Sequence, residues 1–250
     1  MFTLCIPTMN RFDNFLIRYL PRYLENEYID EIVITDENGH DIEKIKQNFP
    51  NNTKLVLVKN EQVLGPFLNK HKACSIAKNE WIALIDSDNF ADKNYFMVAK
   101  NYINDHITPT GKNNVILSPS KGDPVFDFSH LSGTIFMKGN FEENRRKEQL
   151  LMKSNNVSSE TLFNLGNYII NKQLINNLDI DSEINNIKKS SACDVMYFNV
   201  LLFEKLDLQF HVVPDLEYDH VVHNESIFLL TRYNHEDVMN IVKERFYTIK

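Results

Sequence analysis

The sequence predicts an α/β fold, a mostly parallel sheet with helices packed on both faces. Three observations predict it. Short runs of Val, Ile and Leu recur at residues 2–6, 31–35, 54–58 and 81–85. Segments with apolar residues at helical spacing separate them. The runs themselves carry few polar residues, as strands buried on both faces do.

Taken in order, residues 2–6 read as the first strand, closed by Pro7. Phe15, Leu16, Tyr19, Leu20, Tyr23 and Leu24 follow at helical spacing. Pro21, which has no N–H and a ring that clashes with the preceding turn, is expected to kink or split that helix. The second strand, 31–35, ends in the acidic turn Asp36-Glu37-Asn38-Gly39, and Asp41 is placed to cap a short helix running to Phe49. A third strand covers 54–58, a helix runs from about Leu68 to Ala77, and the strand 81–85 leads straight into Asp86-Ser87-Asp88.

Asp92 then caps a helix carrying Tyr95, Phe96, Val98, Ala99, Tyr102 and Ile103. Val115–Leu117 and Thr134–Met137 read as strands. Residues 140–190 are polar and Asn-rich, with a basic cluster at Arg145-Arg146-Lys147 whose best reading is a solvated helix face. A helix follows Ser190-Ser191, with Cys193 and Asp194 in its first turn and Val195, Phe198, Leu202 and Leu206 on one stripe. Phe210 to Val213 is a late strand, and Asn234 with Asp237 opens a terminal amphipathic helix. No repeat or linker divides the chain. Residues 1–95 and 96–250 are expected to be two halves of one continuous domain.

Composition narrows the function classes. The chain has 250 residues, 43% hydrophobic, which is too apolar for a disordered chain. Its 3 cysteines, Cys5, Cys74 and Cys193, are odd in number and widely spaced, so a disulfide-stapled secreted module is excluded. A net charge of -7 argues against nucleic acid as the main partner. No run approaches the roughly 18 apolar residues of a membrane span, and the first residues lack the basic region of a signal peptide. The expectation is a cytoplasmic protein with no transmembrane segment, for which contact with a membrane surface stays open. Oligomeric state is not encoded legibly.

In parallel sheets ligands bind beyond the carboxyl ends of the strands. Asp36, Glu37, Asp86 and Asp88 all stand at such ends, which argues for one shared site. Two carboxylates in Asp86-Ser87-Asp88 suit a divalent cation that completes its shell with substrate phosphates. An acidic turn capping the next helix would have the same sequence.

Four motifs in order carry a resemblance to a known family. Ile6-Pro7-Thr8-Met9-Asn10-Arg11, Ile32 to Gly39, Gly65 to Asp88 and Tyr218 to Ser226 resemble the strand, turn and loop motifs of the GT-A glycosyltransferases, in particular the inverting family 2. The resemblance implies the GT-A fold: a Rossmann-like, mostly parallel central sheet flanked by helices, with an acceptor-binding C-terminal half. It is specific over residues 1–95 and diffuse afterwards.

The resemblance also implies roles. It puts Pro7, Thr8, Asn10, Arg11 and the acid pair Asp36/Glu37 at the nucleotide's base and ribose, leaving open which acid makes the contact. Lys70 stands where the family often has Arg, as a point charge for the diphosphate. Asp88 matches the acid that binds Mn²⁺ or Mg²⁺; Asp86 and Ser87 lie nearer the ribose or the metal's waters. Asp194 matches the general base, in a helix's first turn where a carboxylate is stabilised as the anion, with Cys193 where the family has Glu. His220 and His223 are an odd number of residues apart, so in an extended stretch only one faces the site. His223 is the better match to a metal or diphosphate ligand. Gly133 and Gly166-Asn167 fall where the family builds acceptor loops, and residues 120–190 are expected to shape acceptor choice.

The activity implied is transfer of a sugar from a nucleotide-diphosphate donor, most often UDP-linked, to a hydroxyl or amine of a glycan, glycolipid or other saccharide acceptor. Trp81, the only tryptophan, sits in a strand, so the Q-x-x-R-W motif of processive synthases is absent and single-sugar transfer is expected. Two other readings compete. A nucleotidylyltransferase needs a Gly-rich phosphate cradle that residues 7–11 lack. A non-catalytic nucleotide-sugar-binding protein is the alternative that Cys193 keeps alive.

Overall fold

The structure, a computed structural model, describes residues 1–151, 157–180, 193–224 and 236–250. Ser190-Ser191, Glu225-Ser226 and Asn234, singled out above, lie outside the described residues.

Strands β1 (Phe2–Thr8), β2 (Ile29–Asp36), β3 (Leu55–Lys59) and β4 (Trp81–Leu84) lie in parallel in the order β3-β2-β1-β4. Beyond β4 the sheet continues without a break and becomes mixed. It takes in β5 (Val115–Asp123), β6 (Phe126–Asp127), β7 (Ile135–Met137), β8 (Tyr168–Asn171) and β9 (Gln209–Asp219). The full order is β3-β2-β1-β4-β8-β5-β9-β7, with β6 paired to β5. β8 runs antiparallel to both its neighbours, while β5 and β9 pair in parallel.

The unbroken apolar runs follow from having helices on both faces. On β1, Leu4 and Ile6 join one core and Cys5 the other; on β2, Ile32 and Ile34 oppose Val33 in the same way. One face is covered by α1 (Ile17–Glu25), α2 (His40–Asn48) and α4 (Lys93–Tyr102), through Leu20, Tyr23, Ile45, Tyr95 and Phe96. The other is covered by α3 (Pro66–Ile76), α5 (Phe141–Leu151), α6 (Ser159–Phe163), α7 (Lys172–Asn177), α8 (Asp194–Lys205) and α9 (Glu236–Thr248). Here Phe141, Phe163, Phe203, Phe210 and Phe246 form one aromatic cluster, with the Phe163 and Phe210 rings stacked 4.2 Å apart.

Three expectations need correction. Pro21 lies inside α1 without ending it, since burial of Leu20 and Tyr23 outweighs one missing hydrogen bond. The irregularity comes earlier, in a wide turn over Phe12–Leu16 where the Leu16 N–H bonds to the Arg11 carbonyl. The carboxylate that caps α2 is Asp36, whose Oδ2 accepts from the N–H groups of Asp41 and Ile42; Asp41 lies in the helix's first turn. Residues 194–203 of α8 are all buried, so this is a core helix with no single apolar stripe, and Leu206 falls just past its end.

Candidate active site

The sheet topology brings the chemistry-bearing segments to one edge. β1, β2 and β4 end there at Thr8, Asp36 and Leu84. β8 runs the other way and therefore begins there, preceded by Gly166 and Asn167, while β9 ends there and leads into His220 and His223. They surround a cleft of about 860 Å³ lined from both halves of the chain.

The acidic turn after β4 is fixed by backbone bonds. Ile85 N–H donates to the Cys5 carbonyl at 3.0 Å, Asp86 N–H to Asn167 Oδ1 at 2.8 Å, and Asn89 N–H to the Asp86 carbonyl at 3.0 Å. Phe90 and Asp219 exchange two backbone bonds, and Asn89 Oδ1 accepts from the Val221 N–H. The C-terminal stretch is thereby laid along the turn, and His223 Nε2 comes to 2.9 Å from Asp88 Oδ2. Contrary to the expectation, His220 lines the cleft and His223 does not; the His220 Nδ1 meets the Tyr218 hydroxyl at 3.1 Å and its ring stands edge-on to Phe126. Burial lowers the pKa of His220.

Asp88 and His223 offer one carboxylate oxygen, which suits Mn²⁺ or Mg²⁺, and one imidazole nitrogen, which suits a Mn²⁺-class ion. Among the described residues no group of three His, Cys, Asp or Glu side chains converges. An ion here would have to complete its shell from substrate and water.

Lys70 projects from α3 between two carboxylates. Its Nζ lies 2.6 Å from Asp194 Oδ2 and 3.1 Å from Asp86 Oδ1. Burial alone would lower its pKa, but the two carboxylates outweigh that and hold it as ammonium. Burial raises the pKa of Asp194, opposed by the charge and hydrogen bond of Lys70. α3 follows Gly65, whose φ of +85° favours glycine, and carries Lys70 in its second turn to meet Asp194 at the start of α8.

At the end of the cleft formed by β1 and β2 the side chains are more committed than their positions suggest. Asp36 is fully buried, holds α2 and does not line the cleft. Glu37 does line it, and its carboxylate accepts from Leu64 N–H, Gly65 N–H and Asn60 Nδ2 at 2.7, 2.9 and 3.1 Å. The Thr8 hydroxyl donates to Asp41, which also accepts from the N–H groups of Arg11 and Phe12. Pro7, Thr8, Arg11 and Ser87 line the cleft; Asn10 is exposed outside the lining, with φ +57° and a bond from Asn38.

Asn167, singled out as part of an acceptor loop, holds the acidic turn from behind. Some lining residues carried no readable signal: Glu160 and Lys243, paired at 2.5 Å, form a charged patch on the C-terminal side. Only the helical spacing of α9 hinted that Lys243 is ordered. Asn89, next to the acidic turn, was within reach because Asn after Asp-x-Asp is a turn residue. The basic cluster is a solvated face: Arg146 pairs with Glu142, Lys147 with Glu143, and Arg145 lies over the Tyr247 ring.

Residues 3–158 match the family described as Glycosyl transferase family 2. No curated protein matches the chain in sequence. Among solved structures, S. aureus TarS 1-349 is similar over 100% of this chain and 66% of that one, with TM-score 0.64 at 15% identity. The same fragment in complex with UDP-GlcNAc matches with TM-score 0.64 at 15% identity, over 100% of this chain and 67% of that one. The mannosyltransferase PcManGT from Pyrobaculum calidifontis, in complex with GDP-Man and Mn2+, matches over 90% of this chain and 58% of that one, with TM-score 0.54 at 14% identity. The chain thus spans about two thirds or less of these structures, and the likeness is one of fold. Among the described residues no helix is long and apolar enough to cross a membrane.

Proposed function

The chain belongs to glycosyl transferase family 2, and on that premise we propose that it is a metal-dependent, inverting glycosyltransferase. It moves a single sugar from a nucleotide-diphosphate donor, UDP-linked, to a hydroxyl or amine of a glycan or glycolipid. The observation that carries this reading is the meeting of Asp194 with the acidic turn across one ammonium, that of Lys70. A general base and a diphosphate site must lie on either side of the anomeric carbon, and two regions more than a hundred residues apart fold together to supply them.

Asp194 takes the proton from the acceptor, whose oxygen or nitrogen attacks the anomeric carbon from the face opposite the diphosphate. A carboxylate made more basic by burial is suited to that task. Asp88 and His223 would hold Mn²⁺ or Mg²⁺, which supplies positive charge against the departing diphosphate. Glu37, Thr8 and Arg11 border the end of the cleft where the nucleotide base would lie. Uridine is favoured by the complex of the similarly folded TarS fragment with UDP-GlcNAc, and Mn²⁺ by the mannosyltransferase bound to GDP-Man and Mn2+.

The test is Asp194→Asn assayed for transfer from UDP-sugars, alongside calorimetric binding of the same donors with Mn²⁺. Transfer should fall by about 10²–10⁴-fold while donor binding persists. Wild-type transfer by the variant would remove Asp194 as the base. Donor binding without transfer by the wild type would favour a nucleotide-sugar-binding protein.

A further inference from the structure

Resting on that reading, we infer that Lys70 is a positioning residue for Asp194, not a ground-state ligand of the donor diphosphate. An ammonium has three protons to donate. Two carboxylates lie within 2.6 and 3.1 Å of the Lys70 nitrogen, and its side chain is only 16% exposed. Pulling the Asp194 contact apart to meet a phosphate would leave a carboxylate that is only 7% exposed unpaired, which is costly.

The surroundings fix the lysine in place. Its stem passes Gly166, where an added Cβ would lie 3.6 Å from Lys70 Cε and 2.8 Å from Val195 Cγ2. The loop before β8 therefore seats both the lysine and the first turn of α8. Among the described residues, the titratable groups facing Asp194 besides Lys70 are Asp86, Tyr168 and Cys74. Lys70 is the one cation among them.

This arrangement links the two ends of the reaction by charge. Before transfer the cluster holds one ammonium and two carboxylates. When Asp194 takes the acceptor's proton, Lys70 faces only one carboxylate, Asp86. The net charge of the cluster thereby rises from −1 to 0, and its repulsion of new negative charge is relieved at the moment the sugar–oxygen bond breaks and the diphosphate leaves with the electron pair. The lysine thus acts in the transition state without binding the substrate beforehand.

The test compares Lys70→Met and Lys70→Arg with wild type by donor calorimetry with UDP-sugar and Mn²⁺, and by kcat against pH. For Lys70→Met we expect donor Kd within about threefold of wild type, kcat lower by about 10²-fold, and the acid limb of the kcat profile raised by about one pH unit or more. Lys70→Arg, which keeps the charge, should recover most of the kcat and the limb. A tenfold weaker donor Kd with kcat and the acid limb unchanged would overturn the inference and return Lys70 to the diphosphate. If Lys70→Met does not fold, the Lys70→Met/Asp194→Asn double variant should fold, because it leaves one carboxylate fewer unpaired; an equally unfolded double variant overturns the inference. Failure of the base reading is distinguishable: it would appear as transfer by Asp194→Asn, whatever Lys70→Met does.

Discussion

His223 Nε2 and Asp88 Oδ2 are 2.9 Å apart, although 135 residues separate them in the chain. The pair exists because Phe90 and Asp219 bridge their backbones and Asn89 holds the Val221 N–H. If these two side chains share a divalent ion, each must matter to metal-dependent binding and neither to folding. Asp88→Ala and His223→Ala are expected to lower kcat/KM by about 10²-fold or more and to abolish the enhancement of donor binding by Mn²⁺, with thermal stability within a few degrees of wild type. EDTA should inactivate the wild type, and Mn²⁺ should restore it. Donor binding by His223→Ala that responds to Mn²⁺ as the wild type does would leave Asp88 as the only protein ligand.

Glu37 lines the cleft, yet its carboxylate is spent on the backbone of the loop that leads into α3. Glu37→Ala removes the acceptor for two N–H groups, at Leu64 and Gly65, and for Asn60 Nδ2. A loss of about 1–3 kcal/mol in stability is expected, with donor KM rising because the wall of the nucleotide end loosens. Glu37→Gln keeps an acceptor oxygen and should lose less. Urea melts of both variants check the ordering; equal stabilities would mean that water replaces the carboxylate.

Much of this was legible in the sequence, for physical reasons. Apolar runs of five at residues 31–35 and 81–85, rich in Ile and bounded by turn residues, fit strands covered on both faces, and the topology of such strands places Asp86 and Asp88 at a carboxyl edge. The spacing of His220 and His223 was a poorer guide, because the chain leaves β9 at Asp219 and it is His220, not His223, that lines the cleft. What stayed hidden depended on tertiary pairing. Nothing local distinguishes Asp36, which faces the start of α2, from Glu37, which faces the cleft. Lys70 gave no sign that its partners would be Asp86 and Asp194, because α3 and α8 meet only through the folded sheet. The wide turn before α1 and the passage of the helix through Pro21 were likewise decided by packing.

Gly166 is where a single methyl group should reach the chemistry. The added Cβ would stand 2.8 Å from Val195 Cγ2, and Val195 is buried beside Asp194 with a stiff, branched side chain. Gly166→Ala should therefore displace the first turn of α8, at a cost of about 1–3 kcal/mol. The expected signature is a fall in kcat larger than any change in donor Kd, since the acid–histidine pair lies on another segment. Steady-state kinetics with donor calorimetry read this directly. A wild-type kcat with a lowered melting temperature would mean that Val195 yields without moving Asp194.

His211, on β9 away from the cleft, gives the fold a pH dependence of its own. Burial pushes its pKa down to about 4, helped by the charges of Lys112 and His106. Its Nδ1 meets the Tyr102 hydroxyl at 3.0 Å and its Nε2 lies 3.2 Å from Gln209 Oε1. The folded state thus holds this imidazole neutral, whereas the unfolded chain protonates it near pH 6.5. The stability it contributes is present above about 6.5 and is lost as pH falls towards 4, by about 3 kcal/mol at most. His71 and His220 are also held below their ordinary value by burial and add to the same slope. Replacing His211 by Gln, which does not titrate, should flatten but not abolish the fall in melting temperature between pH 6.5 and 4.5. An unchanged slope in the variant would mean that His211 reaches solvent before it protonates.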